Sequence, residues 1–464
     1  MRTRIEPYRI KTVEPLPITT RAERERALAE AGWNLFRLPA RLVTIDLLTD
    51  SGVSAMSARQ WGALLQAAES YAGAESFFRL ESSVRDVTGL PHVIPAHQGR
   101  AAERLLFEAL VRPGDVVPGN MHFDTTRANL ERLGARALDL PAAAAADPAS
   151  PAAFKGDIDL ARLRDVLASA SVRVPLVLVT VTSNGCGGQP VSIGNLCEAR
   201  AVCDRHGVPF FLDAARFAEN SWLVREREPG FARFSPREIA RATFDLADGC
   251  VMSAKKDGLV NIGGFIALRR RELAETIRSG MVVGEGFATY GGLAGRDLEA
   301  MAIGLQEVLD PAYLADRIAQ VRSLAERLDE AGVPIVHPPG GHAVYVDSRA
   351  FAPHLEPRDL PGQAIACELY LHAGIRSTEV GQLMRGRPGP GGERPVELDL
   401  VRLAVPRRVY TSRQLDYVAE AVVDVYGAPE RLQPLEIVEQ PATLRHFTAR
   451  LRPRPLPVAA AGRR

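Results

Sequence analysis

The sequence predicts an α/β fold in which a mostly parallel sheet is crossed by helices. Three observations carry this expectation. Runs such as "VPLVLVTVTS" (174–183), "VPFFLDAAR" (208–216) and "FDLADGCVMSA" (244–254) are of the kind buried on both faces of a sheet. Between them the spacing turns helical: in "LCEARAVCDRHG" Leu196, Ala199 and Cys203 share a face and Gly207 is the stop. The chain, at 464 residues, also exceeds what one core usually holds.

In chain order, residues 1–50 mix short apolar pieces with charge and read as an arm packing on other parts. From about 57 to 300 the strand, turn, helix pattern repeats, as parallel strands with crossover helices require. "YLADRIAQVRSLAERLDEAG" (313–332) is an amphipathic helix with Leu314, Ile318, Val321, Leu324 and Leu328 on one face, closed by Gly332. Short strands follow in "AVYVDS" (343–348) and "ELDLVRLAV" (397–405). The predicted organisation is an N-terminal arm that forms part of a small domain (1–56), a large domain (57–310), a small α/β domain (311–450) and a disordered tail (451–464). "PAAAAADPASPAA" (141–153) and "RGRPGPGGERP" (385–395) read as surface loops.

Composition excludes several classes. Apolar residues are 46% and charged residues 24%, as in globular proteins, and the net charge of +1 gives no footprint for nucleic acid. The N-terminus is basic without an apolar segment, so no signal peptide is expected, and no run is apolar for long enough to span a membrane. Five cysteines without CxxC pairs point to a reduced, cytoplasmic protein.

Three polar positions stand at consecutive strand ends: Asn184, Asp213 and the pair Lys255-Lys256. Ligands of open parallel sheets bind outside the carboxyl ends of the strands. Each position taken alone is an ordinary turn or cap residue. Together, an amide, a carboxylate and a lysine suit pyridoxal phosphate, whose aldehyde takes an amine and whose ring nitrogen takes an acid. "HQGRAAE" (97–103) supplies Gln98, Gly99 and Arg100 at a helix start, where free N–H groups and the helix dipole favour a phosphate.

The motifs "IDLLTDSG", "HQGR", "GGQPVS", "DAARFAEN", "MSAKKD", "YGGLAGRD" and "VRLAVPRR" make the chain similar to the β-eliminating lyases, over all but its tail. That resemblance implies pyridoxal-phosphate fold type I (aspartate aminotransferase-like), with a large mixed-sheet domain and a smaller α/β domain. It also implies a homotetramer with sites at dimer interfaces and a monovalent cation, potassium. Carried over by motif, it makes Lys256 the Schiff-base lysine, with Lys255 a nearby charge, and Asp213 the partner of the ring nitrogen. Phe123 stacks on the ring, and Gln98, Gly99, Arg100 and Ser253 hold the phosphate. Arg216 and Asn184 approach the phenolic oxygen and the substrate. Arg402 takes the substrate carboxylate and Tyr71 works as an acid–base group. Thr49, Ser51, Phe36 and Phe287 line the substrate pocket. Gly52, Glu69 and Asn261 hold the cation.

Within that family the ring pocket separates substrates. Members that release phenol have threonine after the stacking phenylalanine and arginine two places after the equivalent of Thr378; here Asp124 and Val380 stand there, and His446 occupies "LRHFTA". A phenol oxygen needs a donor that Val380 lacks, whereas an indole N–H can reach Asp124 or His446. The expected reaction is β-elimination of tryptophan to indole, pyruvate and ammonia. Cleavage of tyrosine, or of a related or modified aromatic amino acid, is the alternative.

Overall fold

The computed structural model describes residues 5–386, 388–389, 392–393 and 396–454. Its central sheet has five strands in the spatial order His92–Ala96, Gly264–Leu268, Gly249–Ser253, Phe210–Asp213, Val177–Thr180. The last three are parallel, and Gly264–Leu268 runs antiparallel to both its neighbours. All five are buried along nearly their whole length, which explains the continuous apolar runs.

Register decides where the polar positions go. Thr180 pairs with Asp213, and Asp213 with Val251, so the residues that follow each strand emerge on one edge. Ser253 and Ala96 both face Gly264, so the chain segments after them come side by side. A Cβ on Gly99 would lie 2.5 Å from the Cβ of Ser253, so only glycine allows this approach. Helices cover the sheet. Ile193–His206 starts at Ser192, whose side chain accepts from Asn195 N, and stops at left-handed Gly207.

A second core joins the two ends of the chain. Residues from Ala27 to Leu47 pack with residues from Val321 to Leu451. Ile45 and Asp46 pair with Ile375 and Arg376. Leu400–Ala404 is the middle strand of an antiparallel sheet, and Arg402 sits on it between Thr378 and Tyr345. Helix Pro311–Glu330 bridges the two cores: Leu314 and Ile318 pack with the large sheet, while Val321, Leu324 and Leu328 belong to the second core.

Four expectations change. Ile5, Ile10, Val13 and Ile18 at the start of the arm are exposed, so this part of it does not pack on this chain, whereas the part from Ala27 to Leu47 does. The stretch 141–153 is not simply a surface loop. Ala145 is buried, and the carbonyls of Asp147 and Pro148 accept from the fully buried Lys155 amine. Arg450–Pro453 pairs with Leu435–Glu439, so the start of the expected tail is a strand; residues 455–464 lie outside the described residues. Of 385–395, Arg385 ends the short helix Gln382–Arg385, and the backbone of Pro388-Gly389 pairs with Gly392-Glu393; the other positions from 387 to 395 lie outside the described residues.

Candidate active site

A cleft opens at the carboxyl edge of the central sheet. It is lined by Lys256, Asp213, Asn184, Arg216, Phe123 and Ser51, and by the cradle formed by Gln98, Gly99, Arg100 and Ser253. The sequence-predicted cofactor residues therefore share one space.

Lys256 lies in the turn just after Gly249–Ser253. Its carbonyl accepts from Leu259 N at 3.0 Å, and Leu259 is held at φ 53. Burial pushes its amine down to about 8, with Arg216 adding to the shift and Asp50 and Asp213 opposing it. An amine so shifted is partly neutral, and hence nucleophilic, near neutral pH. Lys255 also lines the cleft. Its Nζ donates to Oε1 of Gln98 at 3.2 Å, on the cradle side, and burial lowers it too. Asp213 accepts from Ala215 N at 3.1 Å, and burial pushes its carboxyl up. A cation brought against it would restore the carboxylate.

Asn184 is fixed by its oxygen. Tyr345 Oη donates to its Oδ1 at 2.8 Å, Arg402 Nη1 at 2.9 Å, and His342 Nε2 lies at 3.1 Å. With the oxygen taken, the amide NH₂ remains for the cleft. Arg402 also donates to the Leu48 carbonyl at 3.0 Å, and its buried Nε has no hydrogen-bond partner among the described residues.

Arg216 lines the cleft and at the same time forms a two-pronged pair with Asp50, at 2.9 and 2.7 Å, which the sequence reading did not foresee. Burial would raise the Asp50 carboxyl, yet Arg216, His342 and Arg407 hold it well below the usual range. Arg407 donates to Asp50, Glu219 and Asp257, and Arg317 donates to Glu219. This buried network ties the N-terminal segment, the large sheet and the second core together beneath Lys256.

The aromatic pocket is only partly assembled in one chain. Nε2 of His446 lies 2.8 Å from Oδ2 of Asp124, an ion-pair distance without the alignment of a hydrogen bond. Phe36 meets the His446 ring edge-on at 5.7 Å. Thr49 accepts from Ser51 N at 3.1 Å, beside the cleft. Val380 is not a pocket wall here: it is 1% exposed and packed with Val336, Tyr345 and Leu398. Tyr71 is 70% exposed and stacks on Phe287 at 5.6 Å, outside the cleft.

The cation residues also separate. The Asn261 amide donates to the Gly52 carbonyl at 3.0 Å, whereas Glu69 accepts from Gly295 N and Arg296 N at a helix start. Among the described residues no three or more His, Cys, Asp or Glu side chains gather to hold a metal.

Sequence reading missed Glu103, Asp50 and the Tyr345–His342 pair. Glu103 lines the cleft and accepts from Thr126 Oγ1 at 2.6 Å; burial and the charge of Asp213 push it up to about 8. Its signal was present as the acid one turn into "HQGRAAE".

The family model for β-eliminating lyases matches residues 46–421. The chain belongs to the β-eliminating lyase family. This lyase is 54% identical to a tryptophanase of Hyphomonas neptunium, over 97% of this chain and 99% of that one. It is 49% identical to a tyrosine phenol-lyase of Symbiobacterium thermophilum, over 97% and 98%. Its fold is that of pyridoxal-phosphate fold type I enzymes. A serine palmitoyltransferase from S. paucimobilis, with a bound PLP–myriocin aldimine, superposes with a TM-score of 0.57 at 14% identity, over 83% of this chain and 88% of that one. Among the described residues of the lyase, no helix is long and apolar enough to cross a membrane.

Proposed function

We propose that this lyase uses pyridoxal phosphate to split L-tryptophan into indole, pyruvate and ammonia. The observation that carries the choice of tryptophan is the Asp124–His446 contact beside Phe36, a polar end against an apolar ring, suited to an indole N–H. The tryptophanase of Hyphomonas neptunium, at 54% identity, supports the same reading.

The cleft fits the cofactor. The Gly99–Ser253 approach leaves backbone N–H groups at a helix start for its phosphate. Phe123 would stack on its ring face, Asp213 would meet its nitrogen and Lys256 would take its aldehyde; all three line the cleft. When bound, the cofactor supplies an electron sink for the pair left at the substrate Cα. Lys256, with its amine near 8, takes the Cα proton. Arg402, with one N–H unspent, and the Asn184 amide hold the substrate carboxylate. Asp124 and Tyr71 carry the proton that makes indole a leaving group.

Tyr71, Phe287 and Glu69 stand outside this cleft, and Ile5, Ile10, Val13 and Ile18 at the start of the arm are exposed. We infer that they complete the site of a second copy in a homotetramer. There Glu69 would join the Gly52 and Asn261 carbonyls around potassium. The test is the purified enzyme with pyridoxal phosphate and potassium, given tryptophan or tyrosine. Indole in large excess over phenol supports the reading; phenol in excess replaces it with tyrosine cleavage.

A further inference from the structure

We propose that Asn34 is a positioning residue that sets selectivity for an aromatic leaving group. It is a buried amide holding two pocket residues from opposite ends of the chain in one geometry. The inference rests on the roles given above to Phe36 and His446.

Asn34 is 1% exposed. Its Nδ2 donates to the His446 carbonyl at 3.1 Å and to the Ala449 carbonyl at 2.8 Å. Its Oδ1 accepts from Phe36 N at 3.0 Å. Both amide hydrogens and one carbonyl lone pair are therefore committed, and no other side chain of this size offers that set. The backbone on either side is held unusually. Trp33, just before Asn34, has φ 56, and Leu444, two residues before His446, has φ 51. Bulky side chains disfavour that region, so the surroundings must impose it. On one side the Trp33 carbonyl is held by Gln363 Nε2 at 2.9 Å; on the other, Arg445 Nε donates to the Leu383 carbonyl at 2.8 Å.

The consequence is geometric. Phe36 is the apolar wall, and His446 with Asp124 is the polar end. Asn34 bonds the main chain of Phe36 and of His446, and so fixes the distance between wall and polar end. The cleft around Lys256 and Asp213 does not depend on it, since none of the Asn34 bonds reaches that sheet edge. A flat aromatic substrate must pack against both wall and polar end, whereas a short S-alkylcysteine reacts at Lys256, Asp213 and Arg402 alone.

The test compares Asn34→Ser and Asn34→Ala with the unmodified holoenzyme. Serine still caps Phe36 N but cannot reach both carbonyls, and it tolerates the buried position if Asn34→Ala lowers the folded yield. kcat and KM are read for tryptophan, tyrosine and S-methylcysteine, with the visible absorption of bound cofactor as a check on the cleft. Small displacements of a substrate can cost about 10²-fold. We expect kcat/KM to fall about 10- to 100-fold for whichever aromatic amino acid the unmodified enzyme prefers and under about 3-fold for S-methylcysteine, with the absorption unchanged. Equal losses on both substrate types, or no loss on either, would overturn the role. A preference of the unmodified enzyme for tyrosine would overturn the tryptophan reading and leave this test intact.

Discussion

The cofactor cleft and the aromatic pocket are built on different principles. The cleft comes from consecutive strand ends of one sheet, so its chemistry appears in the sequence in order: Asn184, Asp213, Lys256. The aromatic pocket comes from distant segments. Phe36 and His446 meet edge-on, 412 residues separate Asn34 from the carbonyl it holds, and Tyr71 is exposed outside the cleft. A sheet edge positions residues through backbone register, which one chain completes alone. A pocket between chain ends depends on side-chain contacts made only after both ends have docked.

The sharpest way to break this comparison is at the cleft. Lys256→Ala should remove turnover of every substrate by at least about 10³-fold, the scale of a lost nucleophile and base. Lys255→Ala should leave borohydride labelling intact at Lys256. Peptide mapping that found the label on Lys255 would refute the assignment.

The buried network joins the two regions. Asp50→Ala leaves Arg216 and Arg407 without their shared carboxylate, and breaking such a buried pair costs about 3–5 kcal/mol. Thermal or denaturant unfolding should register that loss. An unchanged midpoint would mean that the network is not what couples them.

At the pocket the effect should be smaller and selective. His446→Phe keeps an apolar ring beside Phe36 but removes the polar end. We expect about a 10- to 100-fold loss with tryptophan and little with S-methylcysteine. Parallel losses would place His446 in service of the cofactor instead.

The smallest effect concerns Glu103. Its folded carboxyl is raised from 4.5 to about 8, so between those values the folded state holds a proton that the unfolded state has released. Stability from this group is present at low pH and declines as pH rises through that window. Glu103→Gln cannot lose a proton, so its stability relative to the parent should improve from pH 5 to pH 8. A constant difference across that range would show that Glu103 titrates normally.

The sequence alone determined the α/β class and the order of the residues that line the cleft. Strand periodicity and glycine placement are local properties, and register converts them into position. It also carried the family, through motifs that span nearly the whole chain. Only the tertiary structure showed that Arg216 is paired with Asp50, that Val380 is packed as core and that a carboxyl at position 103 enters the cleft. It alone showed Tyr71 and Glu69 turned away from that cleft. Each of these depends on which partner a side chain meets across the fold. Charge pairing and burial are long-range in sequence, and no local pattern records them.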